Sequence, residues 1–295
     1  MKKALPWAAW ALVAATSLGA GGDYPSQILA DRSERVSELT RADGWLTLIG
    51  LHFLDAGANT VGSAAANRIV LAAGPRQFGT VTLSGAGAAT FTAAPGAEVS
   101  IDGKPATSGV LQPDGLGTRH TLVASGTVSF FLLERGGRLA LRVRDSEAER
   151  RTHFLGLDYF PIDPSWRIEA QWVPFDPPRE IPITNVLGNV SREKATGKAV
   201  FQRGGRTYEL TPVVEGPGEP LFFIFADLTS DVSTYHMRFL DADQPKDGKV
   251  VLDFNLTETP PCGFTPFATC PLPPKENHLD VAVTSGEKSY RGRHE

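Results

Sequence analysis

Five polar residues in the C-terminal third of the chain have types and spacing that suit chemistry: Asp227, His236, Arg238, Asp253 and Asn255. A histidine beside carboxylates suits general acid–base work, because the imidazole titrates near neutrality and a carboxylate can orient the ring. An arginine on the same face can hold a ligand carboxylate through two parallel N–H bonds. A strand along residues 233–240 sends Thr234, His236 and Arg238 to one face and Tyr235, Met237 and Phe239 to the other. Along residues 250–255, Asp253 and Asn255 share a face opposite Leu252 and Phe254. If the two strands pair as a hairpin across residues 241–248, one register sets Arg238 opposite Asp253 and His236 opposite Asn255. A one-residue slip breaks the set. His236, Asp227 and Asp253 are thus the catalytic candidates, and Arg238 and Asn255 binding candidates. The plainer reading is a cross-strand Arg–Asp pair beside an exposed histidine, with Asp227, Asp253 and Asn255 capping strand ends.

The two cysteines, Cys262 and Cys270, lie close together in the loop 258–274. In an exported protein the simplest reading of such a pair is a disulfide. A redox-active pair and a metal half-site, for which His278 would be the nearest further ligand, are the alternatives. Pro260, Pro261, Pro266, Pro271, Pro273 and Pro274 stiffen the same loop, and an organised loop of this length is often functional. The sequence holds no Gly-x-Ser-x-Gly, no His-Glu-x-x-His, no P-loop and no Gly-x-Gly-x-x-Gly. Ser-x-x-Lys occurs at Ser191 to Lys194 and again at Ser285 to Lys288, and neither copy opens an expected helix. His52, His120 and His153 stand alone. No cofactor and no dedicated metal site are expected.

The surroundings of these residues set the compartment. The chain opens on Met1-Lys2-Lys3, continues through an uncharged apolar run of about 15 residues, and then meets Gly19, Ala20, Gly21 and Gly22. This is the layout of a secretory signal peptide over residues 1–22, with cleavage after Ala20 or Gly22. No later apolar stretch is long enough for a bilayer span. Of 29 basic residues, Lys2 and Lys3 leave with the leader. The remaining 27 face 33 acidic residues, and the net charge moves from −4 to −6. Such a surface argues against nucleic acid and against anionic lipid as partners. An exported chain, periplasmic or extracellular, is expected, with an envelope ligand or small molecule as its partner.

The elements that must position the candidates read as mostly β. Residues 26–41 form the one long helical pattern, with Ile28, Leu29, Arg32, Val36 and Leu39 on a stripe and Ser26 as N-cap. Residues 45–149 carry short strands and turns at sandwich spacing. Within them, 127–133 and 138–143 form a hairpin whose alternation of Leu139, Leu141 and Val143 with Ala140, Arg142 and Arg144 predicts one wet face. Residues 150–183 read as a connector rich in proline and aromatics, in which 167–173 could be one strand. Strands return over 184–295, with a hairpin across Gly204-Gly205, an apolar strand at 221–226 and a last strand at 279–284. The fold class is all-β, mainly antiparallel: N-terminal helix over 23–44, sandwich-like unit, connector, C-terminal β unit. Trp45, Phe53, Trp166 and Trp172 read as core aromatics at a junction, with a glycan or peptide groove as the alternative.

The strings Asp253-Phe254-Asn255, Pro260-Pro261-Cys262, Thr265-Pro266, Cys270-Pro271-Leu272-Pro273-Pro274, Glu276-Asn277 and Gly286-Glu287-Lys288 resemble the bacterial and archaeal family called domain of unknown function 1684. Asp43-Gly44-Trp45-Leu46, Arg142-Val143, Asp227-Leu228-Thr229 and Thr234-Tyr235 extend the likeness over about residues 28–290. Where the family pattern has Asn before the two prolines, this chain has Thr259. The resemblance implies no reaction. It adds Tyr235, Asn277 and Glu287 to the binding candidates. The first unit also resembles a forkhead-associated sandwich weakly. Ser63 follows Gly62 and no Ser-x-x-His follows, so phosphopeptide reading is not expected. The expected function is an exported, cofactor-free binding or accessory protein of the cell envelope. The alternative is a hydrolase using a His/Asp pair in the C-terminal unit.

Overall fold

A computed structural model describes residues 23–114, 119–214 and 218–292. The expected signal peptide lies outside the described residues. The chain is mostly antiparallel β-sheet with one long helix, as the all-β reading holds. Helix α1 spans Tyr24–Leu39. Its N-cap is Asp23 rather than Ser26: the Asp23 side chain accepts from the Ser26 N–H at 3.2 Å, and Pro25 fits the first turn, where a missing N–H costs nothing. Ile28 and Leu39 are buried while Leu29, expected on the stripe, is 58% exposed.

Eleven strands follow in the first unit: β1 (Leu48–Phe53), β2 (Gly57–Gly62), β3 (Ile69–Val70), β4 (Gly79–Leu83), β5 (Ala89–Ala93), β6 (Ser100–Ile101), β7 (Lys104–Pro105), β8 (Ser108–Leu111), β9 (Val123–Ser125), β10 (Val128–Arg135) and β11 (Arg138–Asp145). They form a six-stranded sheet, β1-β11-β10-β9-β6-β7, and a five-stranded sheet, β3-β2-β4-β5-β8. One core fills the space between them, with Val61, Val81 and Phe91 from one sheet and Val123, Phe130, Leu141 and Val143 from the other. Phe78, Phe91 and Phe130 pack edge to face at its centre, with centroids 5.2–6.1 Å apart. The β10–β11 hairpin turns at Gly136 and Gly137, both at positive φ, where a Cβ would be strained. The face expected to be wet is not: Ala140 is fully buried and Arg142 only 4% exposed. The loop carrying the two cysteines lies on it, with Arg135 and Arg142 both donating to the Thr269 hydroxyl.

A short helix, α2 (Glu149–Thr152), leads toward the second β unit, built from β12 (Arg167–Thr184), β13 (Val190–Arg203), β14 (Arg206–Leu210), β15 (Leu221–Phe225), β16 (Arg238–Ala242) and β17 (Lys249–Asp253). The stretch 150–183 thus supplies the long strand β12 as well as irregular chain. Its prolines do not end the strand; they bulge it, so that Phe175–Pro178 face Thr196 alone between the Pro174–Gly197 and Arg179–Ala195 pairs. The sheet order is β14-β13-β12-β17, with β15 and β16 as a separate pair. Trp166, Phe201, Phe223, Phe225, Leu252 and Phe254 are buried together between them.

Two expectations about this unit are overturned. Strands β16 and β17 do not pair. β16 runs beside β15, with Arg238 opposite Phe225, and β17 runs beside β12, with Asp253 opposite Arg167. The apolar β15 takes β16 as its hydrogen-bonding partner, which leaves β17 to close the other sheet. Residues 279–284 form no strand either. The Val283 carbonyl accepts from a side chain, Arg238 Nη2, instead of from a ladder neighbour.

Candidate functional site

Arg238 is 0% exposed, and its charge is met on several sides. Nη2 contacts Asp227 Oδ2 at 2.6 Å and the Val283 carbonyl at 2.8 Å; Nη1 reaches the Ser285 carbonyl and Thr257 Oγ1. Asp227 Oδ1 in turn accepts from Thr229 N–H (2.7 Å), Thr229 Oγ1 (2.6 Å) and Val283 N–H (3.2 Å). Burial pulls the Arg238 guanidinium down and Asp227 pulls it back up. The partner of Arg238 is therefore Asp227, not Asp253.

Asp253 belongs to the same network one step further on. Ser285 Oγ donates to Asn255 Oδ1 at 2.8 Å, and Asn255 Nδ2 donates to Asp253 Oδ1 at 3.2 Å and to the Asp163 carbonyl at 2.9 Å. Tyr24, in the first turn of α1, donates its hydroxyl to Asp253 at 2.8 Å. Burial, with Asp253 beside it, pushes the Tyr24 phenol upward. Arg167 Nε lies 3.6 Å from Asp253.

Glu287 closes the network on the helix side. Its N–H donates to the Thr257 carbonyl, and its carboxylate, 1% exposed, accepts from Thr259 N–H (2.8 Å) and from Arg35 Nε (3.1 Å). Arg35 also reaches Glu258 at 3.0 Å and the Thr259 carbonyl at 2.9 Å. Beside these groups is a cleft of about 300 Å³ between α1 and the second β unit. Arg32, Arg35 and Glu38 line it from the helix, Glu258 and Glu287 from below, and Tyr159 from the side. Desolvation pushes the Glu258 carboxyl up to about 7; Glu287, Asp241 and Glu38 add repulsion and Arg35 opposes them. Burial likewise pushes Glu287 up, against Arg35 and the Thr259 N–H.

The structure thus brings Asp227, Arg238, Asn255, Asp253 and Glu287 into one hydrogen-bonded chain, though not through the expected hairpin. It leaves His236, Tyr235 and Asn277 outside. His236 is half-buried with its ring 4.0 Å from that of Tyr235, and the carboxylates of Asp227 and Asp253 hydrogen-bond to other groups. The Tyr235 hydroxyl donates to the Cys262 carbonyl at 3.1 Å. Asn277 is 1% exposed; it accepts from Thr211 N–H and donates to the Thr211 and Ile224 carbonyls. Cys262 and Cys270 are joined by a disulfide. Among the described residues no three His, Cys, Asp or Glu side chains converge as a metal site requires, and no helix is long and apolar enough to cross a membrane.

Arg35, Tyr24, Glu258 and Tyr159 were not among the sequence candidates. Arg35 had a legible signal: Ile28, Arg32, Arg35 and Leu39 follow at steps of four, three and four, one face of a helix. A basic residue on the buried stripe asks for a buried acid. Glu258 and Tyr159 had no comparable mark.

No curated protein matches the chain. A solution NMR structure of an uncharacterized protein of Haloarcula marismortui is similar at 29% identity, over 48% of this chain and 81% of that one, with a TM-score of 0.41. The family model described as "Protein of unknown function (DUF1684)" matches residues 152–288, which contain every second-unit residue of the network, while α1 and its Arg35 and Tyr24 lie before the match. Over residues 152–288 the chain thus resembles the DUF1684 family of proteins of unknown function.

Proposed function

We propose that the chain is an exported, cofactor-free binding or accessory protein of the cell envelope, and that its ligand sits in the cleft beneath α1. The observation that carries this reading is Arg35: it reaches from the helix to a buried and a half-exposed carboxylate, Glu287 and Glu258, at the edge of a cavity large enough for a small molecule. Polar groups of both signs with an aromatic wall suit a small polar ligand bearing an amine, which would take Glu258 as its counter-charge. The leader-like first residues and the disulfide fit an oxidising compartment. The hydrolase alternative has less support, because the two carboxylates it needs are engaged by Arg238 and Tyr24 rather than His236.

Two measurements test this. Cell fractionation with N-terminal sequencing is expected to find a mature chain outside the cytoplasm, starting after Ala20 or Gly22; an uncleaved cytoplasmic chain would refute export. A panel of small amines is expected to include a compound that raises the melting temperature of the parent and not of Glu258→Gln. Equal shifts in both would remove the ligand from the cleft.

A further inference from the structure

The outer face of the six-stranded sheet holds arginines that no acid among the described residues pairs with. Arg142 is 4% exposed, and its one hydrogen bond among the described residues is a 3.4 Å contact from Nη2 to Thr269 Oγ1. Arg135 Nε donates to the same hydroxyl at 2.9 Å. Arg144, two residues along the same strand face, has a buried Nε with no partner among the described residues, as does Arg142. Among the described residues neither Arg142 nor Arg144 has an ion-pair partner. The carboxylates that act on them from a distance are engaged elsewhere: Asp114 with His120 at 3.4 Å, and Asp43 with Arg41 at 2.9 Å. Aromatic rings complete the surroundings, Trp45 under Arg142 and Phe131 under Arg144.

This arrangement is unfavourable as it stands. A buried guanidinium carries five N–H donors that must be satisfied, and a buried charge is tolerated when it is paired. Two cations here share one neutral oxygen, and a third stands beside them. Burial and repulsion from Arg135 and Arg144 pull the Arg142 guanidinium down to about 10. An oxygen-rich anion would reverse each of these terms at once, since guanidinium groups bind carboxylate and phosphate through paired, charge-assisted bonds.

We propose that Arg135, Arg142, Arg144 and Thr269 form a binding site for a small oxyanion, the phosphate or carboxylate group of a soluble molecule. The site lies between the first unit and the disulfide loop, away from the cleft beneath α1, and is independent of it. Arg135 and Thr269 are half-buried and form the exposed side of the site, while the near-complete burial of Arg142 excludes a headgroup still seated in a bilayer. Thr269 precedes Cys270, so the disulfide holds the hydroxyl that two of the arginines share. The constrained loop is then one wall of the site.

The test titrates the full mature chain with inorganic phosphate and, separately, with acetate, each against chloride at matched ionic strength, and follows thermal unfolding. A saturable rise in melting temperature beyond chloride is expected with at least one of the two anions. The larger response identifies the tetrahedral or the planar group. Arg142→Met is expected to weaken the midpoint by about tenfold or more, the loss of a charged hydrogen-bond pair. Arg135→Met and Thr269→Val should weaken it less, and Lys104→Gln, at an exposed position in β7, should leave it unchanged. Should Arg142→Met fail to fold, the half-buried Arg135 and Thr269 variants decide. The proposal is overturned if neither anion stabilises the parent beyond chloride, or if the arginine and threonine variants keep the parent's midpoint.

Discussion

Arg238 and Asp227 form an ion pair of 2.6 Å in which the two side chains are 0% and 1% exposed. Each partner also serves the backbone: Arg238 caps the carbonyls of Val283 and Ser285, and Asp227 accepts the N–H groups of Thr229 and Val283. The irregular segment 279–285 is therefore held by two side chains in place of a sheet. Arg238→Ala is expected to cost about 3–5 kcal/mol, because it leaves Asp227 buried and unpaired. Exchanging both residues for apolar ones should not restore stability, since the backbone groups would remain orphaned. Urea denaturation of the two single variants and the double variant measures this.

Asn277 joins three chain segments that are otherwise linked by the single β-bridges Val213–Phe222 and Ala226–His278. Its amide extends that link by bridging Thr211 and Ile224. Asn277→Ala is expected to destabilise by about 2–3 kcal/mol, the cost of leaving buried backbone groups unpaired. Hydrogen exchange should show lost protection at Thr211, whose N–H is the donor to Asn277. Unchanged protection there would show that water takes over the role.

Glu258 should make stability depend on pH. Its carboxyl is raised to about 7 in the folded chain from an ordinary value of 4.5, so the folded state binds the proton more tightly than the unfolded one. The resulting stabilisation is fully present below about 4.5 and is lost as pH rises through about 7. Glu258 is 43% exposed, and screening should keep the effect below about 1 kcal/mol. Denaturation midpoints of the parent and Glu258→Gln, followed from pH about 5 to about 8, should diverge as the parent loses stability. Parallel curves would refute the assignment.

The disulfide closes a short loop, with a sequence separation of 8. Replacing both cysteines by serine is expected to cost about 2–3 kcal/mol through the added freedom of the unfolded chain. Intact mass with and without reductant checks the bond, and chemical denaturation the cost.

Residues near one another in sequence determined a good deal by themselves. The Gly136-Gly137 and Gly204-Gly205 turns mark hairpins that the structure contains, because a glycine pair at positive φ leaves the chain little other choice. The cysteine pair and the alternation of β11 were equally local. Long-range choices were not legible. The pairing of β16 with β15 and of β17 with β12 depends on which apolar faces find each other, and no spacing within either strand encodes its neighbour. Asp227, Arg238, Asn255 and Asp253 could be singled out by type, but their order in the network follows from tertiary contacts.

The covering of one sheet face shows the difference most clearly. Alternation along β11 determines that Arg142 and Arg144 point away from the sandwich core, since successive residues of a strand face opposite ways. Whether that outer face meets water or protein is decided by where the disulfide loop, more than a hundred residues later, comes to rest. A strand encodes its two faces; burial of a face depends on chain that is distant in sequence. For that reason the composition and local patterns determined an all-β chain with a constrained loop. The tertiary structure alone decided that α1 supplies Arg35 to Glu287 and Glu258 and that the loop lies over the arginines.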